Sequence, residues 1–375
     1  MRILGGRVFT EGAFTERDVF IENGRFAASA GGETVDAAGC YVIPGLVDIH
    51  THGAMGFDFC APCREQFDAI TEYYLKSGVT SVLATSMTMD VSGIERVYEE
   101  LNGYENAGGA RVMGINMEGP FFSEKKKGAQ PGEHLKRPDF EAFRRLNAAS
   151  GGMIRLVCVA PELDGALEFI RDAGTVCTVS LAHTAATYNE AMAGFNAGAS
   201  HVTHLFNGMN GFLHREPGVI GAAADFGAYV ELICDGIHVH PAAIRAVFKL
   251  FGPEKICMIS DSLSCAGLKD GQYTLAGQDV TVSDGKATLA DGTIAGSSIN
   301  LLIALQRVVS FGVSLEDAVL ACTKTPALSA GIGDSVGAIA EGFLGDCLVL
   351  DKNLALKHVI KSLSHKMTIQ SDHIE

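Results

Sequence analysis

Between residues 46 and 260, short apolar runs alternate with amphipathic stretches, and this alternation constrains the fold more than any other feature of the sequence. The eight apolar runs have the length of buried strands; in chain order they are Leu46–His50, Ser81–Ser86, Arg111–Asn116, Ile154–Val159, Val176–Ala182, Val202–Leu205, Val230–Cys234 and Ile256–Ser260. The stretches between them show helical spacing, as in Glu65–Lys76, Val91–Glu100, Glu168–Ala173, Asn189–Asn196 and Ala242–Phe251. Eight strand–helix units predict a (β/α)8 TIM barrel, an α/β fold.

The two ends of the chain have a different pattern. Residues 1 to about 45 consist of short β-like pieces separated by turns, and Asn23-Gly24 is typical of a type I′ hairpin. Residues 336–351 are β-like again and are expected to pair with the N-terminal strands. We therefore predict a small β-sandwich domain from residues 1–46 and 334–375, and a barrel from residues 47–333 with a β-hairpin insertion near 270–295.

Charge and composition exclude several classes of partner. The net charge of -15 argues against a nucleic-acid partner. The apolar runs are broken well short of the ~20 residues needed to cross a bilayer, and the N-terminus lacks a signal-peptide hydrophobic region. The ten cysteines are scattered, and several lie in apolar runs, as buried thiols do in a reducing compartment. The sequence thus predicts a cytoplasmic protein with no nucleic-acid or membrane partner.

A His-x-His pair closes the first predicted strand. The period of two along a strand places His50 and His52 on the same face, so their rings converge. Imidazole is the commonest protein ligand for zinc and related metals. Alone the pair is weak, because histidines on a strand are more often satisfied by hydrogen bonds, and the metal interpretation needs ligands from other strands.

Further ionisable residues follow the other predicted strands at their C-terminal ends. They are Glu118 after the third, His183 after the fifth, His204 after the sixth, His238 after the seventh and Asp261 after the eighth. Singly, each has an ordinary structural explanation, such as a loop carboxylate, a core histidine or a helix N-cap. In a TIM barrel, however, the active site lies at the C-terminal face. Together these residues therefore predict one site.

The residue types indicate metal-dependent hydrolysis. Glu118, His183 and His204 around a divalent ion leave room for a water, whose pKa the ion lowers from about 16 toward 7. Asp261 beside that centre would carry the proton to a leaving group. The pattern favours hydrolysis of an amide-like bond or a deamination, and by ligand type the ion could be zinc, iron, manganese or cobalt.

Several longer motifs resemble the N-acetylglucosamine-6-phosphate deacetylase family of the amidohydrolase superfamily, nearly end to end. Pro44-Gly-Leu-Val-Asp-Ile-His-Thr-His-Gly is a superfamily motif of moderate specificity. The more specific segments are Asn116-Met-Glu-Gly-Pro-Phe, Lys126-Lys-Gly-Ala-Gln, Ala182-His-Thr-Ala-Ala-Thr, Thr203-His-Leu-Phe-Asn-Gly-Met, Arg215-Glu-Pro-Gly, Asp235-Gly-Ile-His-Val-His-Pro and Ser260-Asp-Ser.

The resemblance implies a role for each residue of the metal site. Glu118, His183 and His204 would hold the principal ion, and Asp261 would act as catalytic base and acid. Some relatives lack one histidine of the His-x-His pair and hold a single ion. Because His50 and His52 are both present here, a second ion bridged by Glu118 is a plausible addition, which gives one or two ions per subunit.

The resemblance also implies the contacts with an amino-sugar phosphate. Asn207, Gly208, Arg215 and His238 would contact the sugar phosphate, with Ala129 near the bound sugar. Gln130 would be a substrate contact at a position where some relatives carry His. These loops lie close to a dimer interface in relatives, so a homodimer is implied, in which Arg215 acts in its own subunit or across the interface.

The predicted function is hydrolysis of the acetamide of N-acetyl-D-glucosamine 6-phosphate to D-glucosamine 6-phosphate and acetate. One alternative is deacetylation of the galactosamine epimer, because a single hydroxyl orientation separates the two sugars. Another is an amidase or deaminase of the same superfamily, against which the specific segments above count. A catalytically inactive binding protein is disfavoured, because every ligand and the base are in place.

Overall fold

The computed structural model describes residues 1–275, 278–362 and 367–371. The chain begins with five strands, β1 (Arg2–Thr10), β2 (Ala13–Glu22), β3 (Arg25–Ala27), β4 (Thr34–Asp36) and β5 (Tyr41–Pro44). Between β2 and β3, Asn23 and Gly24 form the two-residue hairpin loop with φ angles of 51° and 74°. A type I′ turn requires positive φ at both positions, which is why the Asn-Gly pair predicts it.

The barrel strands follow. They are β6 (Leu46–Thr51), β9 (Val79–Ser86), β10 (Arg111–Met117), β11 (Ile154–Val159), β12 (Thr178–Leu181), β13 (His201–Val202), β14 (Tyr229–Ile233) and β15 (Ile256–Ile259), with a small hairpin of β7 (Gly53–Ala54) and β8 (Phe57–Asp58) after the first. These eight strands pair in parallel in chain order. The N–H of Asp261 donates to the carbonyl of His50 at 2.9 Å across the remaining seam. The predicted TIM barrel is confirmed.

Ten α-helices are described along the chain. They are α1 (Arg64–Lys76), α2 (Val91–Leu101), α3 (Phe140–Ala149), α4 (Ala166–Ala173), α5 (Tyr188–Ala197), α6 (Gly218–Phe226), α7 (Pro241–Phe251), α8 (Leu301–Ser310), α9 (Leu315–Cys322) and α10 (Lys324–Ser329). Local sequence sets their starts: Thr187 and Glu190 form a capping box at α5, and Pro241 occupies the first turn of α7. Within the described ranges, every helix is too short or too polar to span a bilayer.

A three-stranded antiparallel sheet follows β15. Its strands are β16 (Gly271–Leu275), β17 (Gln278–Ser283) and β18 (Lys286–Thr288). Val280, Val282 and Ala287 of this sheet pack in one apolar cluster with Met87 and Leu263 from the barrel loops. The sheet therefore lies over the C-terminal mouth of the barrel. Residues 276–277 of the predicted insertion lie outside the described residues.

The C-terminal strands join the N-terminal ones. They are β19 (Cys347–Leu350), β20 (Leu356–Ser362) and β21 (Met367–Ser371), and the sheet runs β21-β20-β19-β5-β1-β2-β3, with β4 on β1. Ile3, Val42, Val349 and Ile360 share its apolar core. The predicted pairing of strands from both termini is confirmed. The bounds of the small domain, residues 1–46 and 334–375, stay a prediction, and residues 363–366 and 372–375 of that range lie outside the described residues.

The terminal sheet attaches at the opposite end of the barrel from the mouth. Arg111, at the start of β10, donates from Nη1 to Asp346 Oδ2 at 2.7 Å and from Nη2 to the carbonyl of Ser362 at 2.8 Å. Asp346 is buried there and immediately precedes β19. Since this sheet covers the N-terminal ends of the strands, the C-terminal ends remain for the site.

Candidate metal centre

The C-terminal ends of the barrel strands bring together six buried ionisable side chains, each between 0 and 7% exposed. They are His50, His52, Glu118, His183, His204 and Asp261. These are the residues that the sequence predicts as metal ligands and proton carrier, and they lie at the ends of five different strands. Residues more than 200 positions apart in the chain thus share one place at the mouth.

Glu118, His183 and His204 form one compact set, called here the His183 group. Oε1 of Glu118 lies 3.2 Å from His183 Nε2 and 3.1 Å from His204 Nε2, and the two Nε2 atoms are 3.2 Å apart. Each ring donates its other N–H to a backbone carbonyl, His183 to Lys126 at 2.9 Å and His204 to Asn207 at 3.1 Å. Both Nε2 atoms therefore present lone pairs to each other and to the carboxylate.

His50, His52 and Glu118 form a second set, called here the His50 group. The Nε2 atoms of His50 and His52 are 3.3 Å apart. Oε1 of Glu118 lies 3.6 Å from His50 Nε2, and Oε2 lies 3.4 Å from His52 Nε2. Nδ1 of His50 lies 2.8 Å from Oε2 of Glu231. The Glu118 carboxylate belongs to both groups, one oxygen facing each way.

Both groups fit a divalent cation. Lone pairs that face each other repel unless a positive charge lies between them, and ligands bound tetrahedrally at about 2.0–2.2 Å are about 3.3 Å apart. The ligand atoms of each group all lie within 4.8 Å of one another. Glu118, His183 and His204 could hold one ion, and His50, His52 and Glu118 a second. The donor set of imidazole and carboxylate suits zinc, iron, manganese and cobalt.

Three of these residues have a backbone conformation that side chains rarely adopt. The φ angles are 43° at His183, 26° at His204 and 47° at Asp261. Left-handed φ at a residue other than glycine costs about 1–3 kcal/mol and persists only where surrounding structure enforces it, often at functional sites. The turn at His204 also explains why the predicted strand Val202–Leu205 is shorter in the structure, where β13 ends at Val202.

Asp261 lies beside the His50 group with its Oδ1 3.3 Å from His52 Nε2 and 3.5 Å from His50 Nε2. Burial raises the pKa of its carboxyl group, but the charge of His50 and the hydrogen bond and charge of His52 lower it by more, so the net direction is downward. Its carboxylate form is therefore favoured at neutral pH. A carboxylate at this position can accept a proton from a group bound in the centre.

His50 faces three carboxylates. Burial lowers the pKa of its imidazole, but the carboxylates of Glu231, Glu118 and Asp261 raise it more, to about 10. Burial likewise raises the pKa of Glu118, and the neighbouring histidines, His50 first, bring it well below its ordinary value. The cluster is thus arranged to surround positive charge.

Gln130 contacts a metal-ligand candidate. Its side-chain Nε2 donates to Glu118 Oε2 at 2.7 Å, and its Oε1 accepts from the backbone N–H of Thr88 at 2.8 Å. Gln130 is 4% exposed and lines the cavity over the centre. Both ends of the amide are therefore used within the protein, beside a space where the sequence predicts a substrate contact.

The other predicted sugar contacts line a narrow cavity of about 80 Å³ over the centre. They are Ala129, Asn207, Gly208 and His238. Gly208 has a φ of 61°, and a Cβ there would lie 2.9 Å from His183 Nδ1, so only glycine fits. His238 donates from Nδ1 to Asp235 Oδ2 at 2.6 Å and from Nε2 to the carbonyl of Ala295 at 2.8 Å. Since both partners only accept, this imidazole carries two protons.

Arg215 lies apart from this cavity in its own chain. The residue is exposed on the loop before α6, with its Nη1 2.8 Å from His214 Nε2. The same loop exposes Phe212 by 52% and Leu213 by 61%. The structure thus brings together the predicted ligands, the predicted base and four of the sugar contacts, with Gln130 beside them, but it does not bring Arg215 to its own cavity.

Sequence reasoning missed two carboxylates that support the site. Glu231, on β14, is fully buried and bonds to His50, and Asp235 orients His238. A charged residue inside the apolar run Tyr229–Ile233 is the signal that could have indicated Glu231, since a buried carboxylate requires a partner. Asp235 begins the motif Asp235-Gly-Ile-His-Val-His-Pro. Its bond to His238, three residues later, depends on the conformation of the loop.

Comparison with known proteins gives related deacetylases. A sequence profile described as "Amidohydrolase family" matches residues 41–371. N-acetylglucosamine-6-phosphate deacetylase of Bacillus subtilis (strain 168) is 37% identical over 320 residues, 83% of this chain and 81% of that protein. N-acetylgalactosamine-6-phosphate deacetylase of Escherichia coli O157:H7 is 35% identical over 321 residues, 84% of this chain and 85% of that protein. A solved mutant of N-acetyl-D-glucosamine-6-phosphate deacetylase from Mycobacterium smegmatis, in complex with N-acetyl-D-glucosamine-6-phosphate, is 30% identical with a TM-score of 0.91, covering 98% of both chains.

Proposed function

The chain belongs to the amidohydrolase family, and on that premise we infer that it hydrolyses the acetamide of N-acetyl-D-glucosamine 6-phosphate to D-glucosamine 6-phosphate and acetate. The observation that carries this assignment is the convergence of Glu118, His183, His204 and Asp261 at one barrel mouth. The similarity to deacetylases over most of the chain supplies the substrate class. The protein is thus a metal-dependent hydrolase of amino-sugar metabolism.

The His183 group would hold the principal ion, and the His50 group would hold a second. A divalent ion bound there supplies Lewis acidity, which polarises a carbonyl and lowers the pKa of water. The chain's own part is to aim the Nε2 atoms of its histidines inward, because each Nδ1–H of His183 and His204 is bonded to a carbonyl. We propose one or two ions per subunit.

Asp261 would move the proton of the reaction. Its carboxylate form is favoured, and its Oδ1 faces the centre, so it can accept a proton from the attacking water. The same oxygen would then give that proton to the amine nitrogen as the carbon–nitrogen bond breaks. One water enters, and acetic acid and the amine leave; transfer of the acid's proton to the amine in solution then gives acetate and the ammonium form.

The sugar phosphate would be held above the centre. Ala129, Asn207, Gly208 and His238 line the cavity, and the positive charge of the doubly protonated His238 suits an anionic group. Arg215 would supply bidentate hydrogen bonds to phosphate. Its exposed position supports delivery into a neighbouring copy's site rather than its own.

We propose a homodimer on the same grounds. The loop that carries Arg215 also exposes Phe212 and Leu213, and large apolar side chains grouped on a surface are typical of an interaction site. The proposed compartment is the cytoplasm, which the ten free thiols support. Molar mass by light scattering, for wild type and for Leu213→Asp, tests the dimer: the change should give monomers, and an unchanged mass would contradict this interface.

The decisive assay measures acetate release. Protein purified without added metal is analysed for its elements and then assayed with N-acetyl-D-glucosamine 6-phosphate, with ammonia measured in parallel. We expect at least one divalent ion per chain and stoichiometric acetate. Ammonia without acetate would indicate a deaminase, and a metal-loaded protein that releases neither would refute the assignment.

The galactosamine epimer is the second candidate, because the Escherichia coli relative at 35% identity is named for that substrate. The two 6-phosphates differ in one hydroxyl orientation, so a site that hydrogen-bonds this hydroxyl can discriminate strongly. Parallel kcat/KM values on both sugars decide between them. We expect the glucosamine derivative to be preferred. A higher kcat/KM for the galactosamine derivative would make that sugar the assigned substrate instead.

A further inference from the structure

Glu231 joins the two halves of the metal centre through one oxygen. Its Oε2 accepts from Nδ1–H of His50 at 2.8 Å and from the backbone N–H of His204 at 3.0 Å. We propose that Glu231 is a positioning residue that builds the second cation site, by orienting His50 and fixing it relative to His204. The proposal rests on the proposed metal centre and adds to it the residue that decides how many ions are held.

The hydrogen bond with Glu231 orients the ring of His50. A carboxylate only accepts, so the hydrogen of this bond resides on Nδ1, and in the neutral ring that would bind a cation Nε2 presents its lone pair to the centre. The atoms facing that lone pair are His52 Nε2 at 3.3 Å, Asp261 Oδ1 at 3.5 Å and Glu118 Oε1 at 3.6 Å. All of them are electron-pair donors, so the space between them suits a cation. Carboxylate–histidine pairs of this kind orient metal ligands in proteins generally.

Glu231 also bonds to the backbone at His204. This residue has a φ of 26°, outside the usual range for a side-chain-bearing residue. Glu231 holds it with the Oε2 bond, and the Glu231 carbonyl accepts from the N–H of Leu205 at 2.8 Å. One residue of β14 therefore fixes a ring of the His50 group and the main chain of the His183 group.

Glu231 lies inside the barrel wall on β14. Glu231 has no exposed surface and lies between the buried residues Val230 and Leu232. A carboxylate in such a place is costly unless it is paired. Its carboxylate is paired with His50 and also accepts from the backbone N–H of His204, at the point in the barrel wall where it orients a ligand.

The test measures cobalt binding by the full chain after removal of metal with a chelator. The visible absorption of Co²⁺ reports its ligands, and the titration gives the number of ions and the affinity of each. We expect two ions for wild type. Glu231→Leu should weaken the second ion about tenfold to a hundredfold, whereas Glu231→Gln, whose amide oxygen still accepts both bonds, should stay within about tenfold of wild type.

A matched control is Asp346→Leu, which removes a buried carboxylate at the opposite end of the barrel. It should lower the melting temperature of the metal-free protein without changing the two cobalt affinities, so a general loss of stability is separated from positioning. One ion per chain in wild type, or a second ion bound equally by wild type and Glu231→Leu, would overturn the proposal. If Glu231→Leu does not fold, Glu231→Gln decides: a second ion bound much more than about tenfold more weakly than by wild type, although both bonds can still be accepted, overturns it.

The cobalt titration and the acetate assay test the two proposals separately. If the wild type releases acetate but Glu231→Leu binds the second ion as tightly as the wild type does, this inference is refuted and the proposed function stands. A protein with the expected cobalt behaviour and no acetate release would do the reverse.

Discussion

Replacing Gln130 with leucine removes both hydrogen bonds of its amide while nearly keeping the side-chain volume. The two partners are the Glu118 carboxylate at 2.7 Å and the Thr88 N–H at 2.8 Å, and both residues are buried. The substitution therefore separates two roles of Gln130. Loss of its bond to Glu118 changes stability and metal affinity, whereas loss of a substrate contact changes KM.

The expected loss of stability follows from the two atoms left without a partner. Each buried group deprived of its hydrogen bond costs about 1–3 kcal/mol, and a carboxylate costs more than a neutral group. The cavity contribution is small, since leucine and glutamine have similar volumes. We expect Gln130→Leu to lower the free energy of unfolding of the metal-free protein by roughly 2–6 kcal/mol.

Urea unfolding of the metal-free protein, followed by circular dichroism, measures this loss. The matched control is Gln278→Leu: Gln278 makes one hydrogen bond, from Nε2 to the carbonyl of Ala129 at 2.8 Å, and does not hold a ligand. Its loss should cost less than about 1.5 kcal/mol. Chelator competition should also show metal binding weakened about tenfold or more in Gln130→Leu and unchanged in Gln278→Leu.

Two results would refute this reasoning. The first is a Gln130→Leu protein as stable as the wild type within ~0.5 kcal/mol, since that is the scatter of ordinary surface substitutions. The second is a variant whose metal affinity is unchanged and whose KM alone rises, which would assign Gln130 to substrate and not to Glu118.

Three further predictions follow from the site. Asp261→Asn should retain metal by elemental analysis and lose about 10²–10⁴-fold in kcat; retained turnover would remove its role as proton carrier. Arg215→Gln should raise KM for N-acetyl-D-glucosamine 6-phosphate and leave the weak activity on unphosphorylated N-acetyl-D-glucosamine unchanged, and equal loss on both would exclude a phosphate contact. Burial lowers the pKa of His238, but the hydrogen bond and charge of Asp235 raise it more, to a value above the ordinary 6.5. The stability from this pair is therefore complete below pH 6.5 and is lost as pH rises through the raised pKa. The destabilisation by His238→Asn, measured by urea unfolding, should accordingly be larger at pH 6 than at pH 9; an equal effect at both would contradict a charged His238.

The fold follows from the sequence because buried parallel strands read as apolar runs and the helices between them as amphipathic stretches. Strand ends are less predictable. The run Val202–Leu205 has the composition of a strand throughout, but the chain turns at His204. That turn is enforced by Glu231, a residue 27 positions away, so no local pattern reveals it.

The candidate site was predictable to the extent that its residues follow strands. His50, Glu118, His183 and Asp261 each lie at a C-terminal strand end, and barrel geometry places such ends together. Partners that depend on tertiary structure were not predictable. Nothing in the segment around Gln130 indicates that its amide spans Glu118 and Thr88, and the exposed position of Arg215 depends on a loop.

The seam between β15 and β6 links the geometry of the candidate site to the closure of the barrel. The backbone N–H of Asp261 bonds to the carbonyl of His50, so one of the bonds across this seam also sets the spacing between the proton carrier and a ligand. A transient separation of β15 from β6 would misalign Asp261 and His50 at once, without unfolding any helix. Exchange of the Asp261 amide with deuterated solvent would measure the fraction of molecules in which the strands are separated. Only the remaining molecules are competent for turnover at any instant, so this fraction sets their upper limit.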